Sequence, residues 1–231
     1  MQTLWLSLQA PFAAFRGMQT GVYRGTAPTI PPSAAYGLIC NLGGIETRGD
    51  LASMTTPMRT DVPPLRLAIG GLSAPEVSTL YQQLHSYPVG NSGKELKPRA
   101  RGAKYWIAPV RREVLAGFSA ILGVRSPDPA ILERIAKGLH GEGDWKRYGL
   151  PFAGDNQFLF DRIDVLPGPV PAYWYAPLAA DGELRRGSTR LTIGIDREDA
   201  SKSTAAVYAP LSEPATEPPE DAWTWVPHAP A

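Results

Sequence analysis

Residues 4–44 read LWLSLQAPFAAFRGMQTGVYRGTAPTIPPSAAYGLICNLGG, and the order of elements in this stretch decides the fold. From Thr3 to Leu8 the residues alternate, Leu4, Leu6 and Leu8 on one face and Trp5 and Ser7 on the other. That two-residue period predicts a strand. Ala10-Pro11 predicts its end or a bend, because proline cannot donate to a ladder. Residues Gly17 to Ile30 carry Gly, Thr, Arg and Pro and predict a loop. Pro31-Pro32-Ser33 then predicts a helix start, since a first-turn proline gives up a donor that has no partner there anyway. Tyr36, Ile39, Cys40 and Gly43 share one helical face, and Gly43-Gly44 is a stop signal.

Further along, PPLRLAIGG predicts a second strand, Leu65 to Ile69. Residues 86–104, SYPVGNSGKELKPRARGAK, hold three glycines, two prolines and a cluster of cations, so they predict an exposed hairpin or loop. The next stretch, YWIAPVRREVLAGFSAILGV, returns to apolar strand residues. SPDPAILERIAKGLHG predicts a helix: Asp128 caps it, Pro129 opens it, Ile131, Ile135 and Leu139 recur every fourth residue, and Gly141 ends it. NQFLFDRIDVL predicts another strand, with Phe158, Phe160 and Ile163 inward. Beyond Pro167 the chain is rich in Pro and Trp, with one strand at RLTIGI and a peripheral tail.

The predicted order is strand, helix, strand, basic insertion, strand, helix, strand. This is the βαββαβ order of α+β ferredoxin-like (RRM-like) folds. It predicts a core over residues 1–166, an insertion near 86–106, and a β-rich, proline-rich extension over 167–231. The second and third strands of this topology pair antiparallel, so the insertion projects from one end of the sheet as a hairpin. Sheets of this kind commonly bind single-stranded RNA.

Of the 231 residues, 43% are hydrophobic, enough to bury a core. The net charge of +1 excludes a global field that attracts polyanions, but the distribution is uneven. Eight cations lie between Lys94 and Arg125 against Glu95 and Glu113, and seven acids lie between Asp196 and Ala231 against Arg197 and Lys202. A basic stretch suits an anionic partner and an acidic one a protein, although scattered surface charge gives the same totals. The single cysteine, Cys40, excludes an internal disulfide and fits a reducing cytoplasm. No apolar run reaches the roughly 20 residues of a membrane span, so no membrane partner is expected. The first residues lack a Lys or Arg before Arg16 and do not read as a signal peptide.

Three segments in order, APFAAFR, TIPPSAAYGLICNLGG and YGLPFAGDNQFLFDRIDVL, resemble the CRISPR-associated Cas-five family over about residues 1–166. The length and tryptophan-rich end resemble its DevS-like, type I-B-related branch. The resemblance implies a ferredoxin-like palm with a protruding hairpin thumb, and a non-catalytic subunit of a type I Cascade complex. Such a subunit holds the 5′ handle of the guide crRNA, contacts the backbone and large subunits, and meets target DNA only indirectly. One branch of the family instead cleaves repeat RNA without a metal. A structural interaction protein with no RNA is a further alternative.

Against that background Arg16, following Phe12 and Phe15, is a candidate phosphate partner beside a stacking ring. The loop Thr26 to Ser33 leads into a helix N-terminus, where Thr29 and Ser33 are candidate donors. Lys94, Lys97, Arg99, Arg101 and Lys104, with Tyr105 and Trp106 alongside, form the candidate thumb surface. Of Arg111 and Arg112, strand alternation sends one outward, and Arg111 is the candidate. His85, His140 and His228 have no metal spacing, and neither a metal nor a cofactor is expected. A general base for 2′-OH attack needs a proton acceptor within hydrogen-bond reach. His85 meets this only if folding brings it beside Tyr36 and Lys104, so no catalytic residue is assigned.

Overall fold

The computed structural model describes residues 2–17, 23–49, 52, 55–88, 105–179 and 181–229. In chain order the elements are β1 (Thr3–Ala13), β2 (Tyr23–Arg24), α1 (Pro32–Leu42), β3 (Leu65–Gly71), β4 (Glu76–Pro88) and β5 (Tyr105–Arg125). They continue with α2 (Pro129–His140), β6 (Arg162–Leu166), β7 (Tyr173–Pro177), β8 (Thr189–Gly194), β9 (Thr204–Pro210) and β10 (Thr224–Val226). The sheet runs β6-β1-β5-β3-β7-β9-β8, with β2 and β4 added on β5 and β10 on β3. Every pairing is antiparallel except β2 with β5. The fold is α+β. The order strand, helix, strand, strand, helix, strand is present in β1, α1, β3, β5, α2 and β6.

The alternation in β1 has a direct counterpart in the packing. Leu6 and Leu8 enter a core shared with Tyr36, Ile39 and Leu42 of α1 and Ile135 of α2. Trp5 points to the opposite face, where it packs with Trp174 and Trp223. Burial on both faces explains why no residue between Trp5 and Leu8 faces water. The strand is longer than the sequence predicts and passes through Pro11 to Ala13. The reason is the neighbour: β6 pairs only with Trp5 to Gln9, so Pro11 needs no donor on that side. On the other side, between the pairs Ala10–Phe118 and Phe12–Ala116, Gly117 takes φ +67°, a conformation that glycine adopts without a Cβ penalty.

Helix α2 follows its predicted signals. The Asp128 carboxylate accepts from the Ala130 N–H at 2.9 Å, and Gly141 ends the helix in the left-handed region at φ +73°. Helix α1 has Pro31 at its N-cap with no side-chain cap bond, and it stops at Gly43. Arg134 of α2 donates from Nε to the Gly43 carbonyl at 2.6 Å, satisfying an acceptor at the helix end. Gly138 lets the two helices touch: a Cβ there would lie 1.9 Å from the Leu42 carbonyl oxygen.

Three elements depart from the sequence expectation. Strand β4, Glu76–Pro88, is unpredicted because EVSTLYQQLHSYP mixes polar and apolar residues on both faces and is exposed over most of its described length. It pairs with β5 from Ala116 back to Tyr105, forming a long hairpin. Strand β6 is shorter than NQFLFDRIDVL, because Asp155 turns the chain first, accepting from the Gln157 N–H at 3.0 Å. Phe158, Phe160 and Ile163 nonetheless pack on the core. The C-terminal segment is not peripheral. Trp223 is 5% exposed, 5.8 Å from the Trp5 ring, and covered by the Arg125 guanidinium at 3.8 Å. Glu220 accepts from Arg66 at 2.5 Å, and β10 pairs with β3. Among the described residues, no helix is long and apolar enough to cross a membrane.

Candidate nucleic-acid interface

The end of β1 and the short strand β2 bring two arginines together. The Phe15 N–H donates to Thr26 Oγ1 at 2.9 Å, and the Ala27 N–H donates to the Phe15 carbonyl at 2.8 Å. Strand β2 lies parallel to β5, with Tyr23 opposite Arg111 and Arg24 opposite Arg112. Glu113 pins this arrangement, accepting from the Tyr23 hydroxyl at 2.5 Å and from the Thr26 N–H at 3.0 Å. Arg16 and Arg24 consequently line one cleft with Gly17, Gly25 and Gly154, with a volume of about 410 Å³.

The floor of the cleft is organised by Asp155. The preceding Gly154 has φ +82°, and a Cβ there would lie 2.4 Å from the Ala14 carbonyl oxygen. Glycine at this point lets the turn close on β1, where the Ala14 N–H donates to the Ala153 carbonyl at 3.0 Å. The Asp155 carboxylate forms an ion pair with the buried Arg112 and reaches Arg16 at 3.3 Å. Arg112 also lies 5.2 Å from the centre of the Phe158 ring and donates to Gln82 at 3.5 Å. Gln82 in turn donates to Gln157 at 3.1 Å, tying β4 to the Asp155 turn.

Burial opposes ionisation of Asp155. The Gln157 N–H, the Arg112 guanidinium and the Arg16 charge outweigh it and hold the carboxyl below the ordinary carboxylate value. One carboxylate thus faces two guanidinium groups. The Arg16 side chain, 44% exposed, carries positive charge to the cleft surface. Guanidinium groups offer paired donors that match phosphate oxygens.

The structure treats the predicted residues differently. Arg16 lines the cleft, and its neighbours divide: Phe15 is core at 2% exposed, and Phe12 is 47% exposed. Arg111 faces outward and Arg112 inward. Thr29 is 1% exposed, with Ile30, Pro31 and Pro32 buried around it, so its hydroxyl does not reach the surface. Ser33 is half-buried in the first turn. Lys94, Lys97, Arg99, Arg101 and Lys104 lie outside the described residues, and Tyr105 opens β5 opposite Pro88.

Burial pushes the Cys40 thiol up to about 12, as suits a packed rather than a reactive cysteine. The Tyr36 hydroxyl, imagined beside His85, is buried and donates to the Pro63 carbonyl at 3.0 Å. Among the described residues, no three His, Cys, Asp or Glu side chains are grouped to hold a metal. The sequence alone did not single out Arg24 or Asp155, and it left Arg112 as the inward residue of its pair with no role at the site. The signal present for Asp155 was its place in AGDN, a turn motif directly ahead of an apolar strand.

The family model for CRISPR-associated protein (Cas_Cas5) matches residues 3–142, which contain β1 through α2. The chain belongs to the CRISPR-associated Cas-five family. Among solved structures, the Cas-five chain is similar to one in a CRISPR RNA-guided surveillance complex, with a TM-score of 0.57 and 16% identity over 96% of each chain. It is also similar to the crystal structure of a Cas protein, with a TM-score of 0.52 and 14% identity over 94% of this chain and 100% of the other. No curated protein sequence matches it. These likenesses establish the shared fold.

Proposed function

We propose that this Cas-five chain is a non-catalytic subunit of a CRISPR effector complex that holds the 5′ handle of the guide RNA. In this reading β1, β3, β5 and β6 with α1 and α2 are a ferredoxin-like palm, and the β4–β5 hairpin is the thumb. The backbone and large subunits are its protein partners, and target DNA is met through the guide.

The observation that carries the proposal is the cleft bearing Arg16 and Arg24 at the root of that hairpin. Asp155 is paired with Arg112, so the cleft presents cations whose nearest carboxylate is already engaged. A sugar–phosphate backbone supplies the anions such a cleft accepts. In the sequence, the segment that joins β4 to β5 adds five cations over residues 94–104. Burial of the Tyr36 hydroxyl removes one partner a general base at His85 would use, which favours holding RNA over cutting it.

The test is filter binding of labelled repeat-derived RNA by the full chain in EDTA, followed by electrophoresis of the RNA. The proposal expects salt-sensitive retention of intact RNA. Site-specific cleavage would replace it with the endoribonuclease function, and absence of retention would leave a protein-interaction role.

A further inference from the structure

On the face of the hairpin root opposite the Arg24–Arg112 pair, three side chains form a cross-strand row. Strand register sets Tyr23 of β2 opposite Arg111 of β5, and Arg111 opposite Tyr81 of β4. Residues opposite one another on adjacent strands project to the same face. Strands lie about 4.8 Å apart, so the row spans about 10 Å. All three are exposed: Tyr23 is 52% and Tyr81 67% accessible, and Arg111 faces solvent.

Nothing in the core explains the row. Tyr81 packs into neither hydrophobic cluster, and Arg111 makes no ion pair among the described residues. Tyr23 is held in place by its 2.5 Å bond to Glu113, and that carboxylate also accepts from the Thr26 N–H. The ring is therefore fixed while its neighbouring acid is engaged. The row thus sets an exposed ring on each side of a guanidinium that has no ion pair among the described residues.

We propose that Tyr23, Arg111 and Tyr81 form a stacking platform for the bases of single-stranded RNA, on the face of the hairpin root away from the Arg16 cleft. The rings accept unstacked bases and Arg111 meets the adjoining phosphate or stacks on a base. Charge favours RNA over an apolar protein partner, because the row is centred on a cation and the sequence that joins β4 to β5 has five more cations over residues 94–104 against one acid, Glu95. The platform rests on the RNA-holding role proposed above and adds a second face to it, so that one strand of RNA passes the hairpin root with phosphates in the cleft and bases on the row.

The experiment compares the full-length wild type with Tyr81→Leu, Tyr81→Phe, Tyr23→Leu and Arg111→Gln. It measures binding of a fluorescein-labelled single-stranded repeat RNA over a salt series, together with photocrosslinking of a 4-thiouridine-substituted RNA. A lost base stack weakens binding about fivefold or more. Tyr81→Leu and Tyr23→Leu are expected to weaken binding by that factor with an unchanged salt slope, and Tyr81→Phe to restore it. Arg111→Gln is expected to lower the log–log salt slope by about 0.7. Crosslinks are expected at Tyr23 or Tyr81. RNA binding by all variants equal to wild type, with crosslinks elsewhere, would overturn the platform and leave the cleft's role standing. The same result with lost co-assembly with a protein subunit would overturn it in favour of a protein face. No binding by wild type would remove both.

Discussion

Arg112 and Asp155 form a buried ion pair, with side chains 5% and 8% exposed, across the junction of the β4–β5 hairpin and the turn that precedes β6. The pair is shared outward with Arg16 at 3.3 Å. It therefore joins packing, which fixes the hairpin root, to the charge that reaches the cleft.

Removing Asp155 leaves the Arg112 guanidinium buried and unpaired. Breaking such a pair costs about 3–5 kcal/mol. Asp155→Ala is expected to lower stability by that amount in urea denaturation at pH 7. The pH dependence has a definite sign. The folded carboxyl titrates below the unfolded value of about 3.9, so its stabilisation is present above that pH and is lost as pH falls through the depressed folded value. Wild type is therefore expected to lose stability below about pH 4 more steeply than Asp155→Asn. Parallel curves would show that the pair contributes nothing to acid lability.

Trp223 fixes the C-terminal segment to the far face of the sheet. Its ring meets Trp5 at 5.8 Å, and Trp5 meets Trp174 at 5.9 Å. Trp223→Ala is expected to cost about 3–5 kcal/mol, the usual range for a buried large aromatic. In a chain of this size that corresponds to a fall in Tm on the order of 10 °C. A melting temperature unchanged within a degree or two would mean that the segment is merely laid against the sheet.

How much of this was legible beforehand depended on where each residue's pattern was local. Asp128, Pro129 and Gly141 mark α2 within a few residues of its ends, and their chemistry operates at that range. Trp5 was legible as the off-face residue of β1, but not its partners, because Trp174 and Trp223 are distant in sequence and lie among prolines that obscure short strands. Strand β4 gave no apolar alternation, since its apolar residues, Val77, Leu80, Tyr81 and Leu84, are divided between its two faces. In the site, Arg16 was legible as a charged residue at a strand end. Asp155 was not, because its role arises only when the turn at Gly154 meets Ala14. Thr29 read as a donor from its place in a loop leading into a helix N-terminus, yet it is buried with its neighbours Ile30 and Pro31.

Gly154 is expected to be intolerant of any side chain. Its φ of +82° strains an L residue, and an added Cβ meets the Ala14 carbonyl oxygen at 2.4 Å. Gly154→Ala is expected to destabilise the fold by about 1–2 kcal/mol from the backbone alone, with the clash in addition. The shift of Asp155 would also weaken RNA binding at constant temperature. Wild-type stability and affinity in this variant would show that the turn can relax without moving Asp155.

The most direct measurement of the central claim is the salt dependence of guide-RNA binding by wild type and by Arg16→Ala, in the full chain and under EDTA. If Arg16 meets a phosphate, the substitution lowers the log–log slope by about 0.7. It also weakens binding tenfold or more, as expected for a charge-assisted contact of about 1.5–3 kcal/mol. The melting temperature is expected to stay near that of wild type, because Arg112 retains Asp155 as its partner. An Arg16→Ala protein that melts normally and binds RNA with unchanged affinity and slope would contradict the cleft as the seat of the guide.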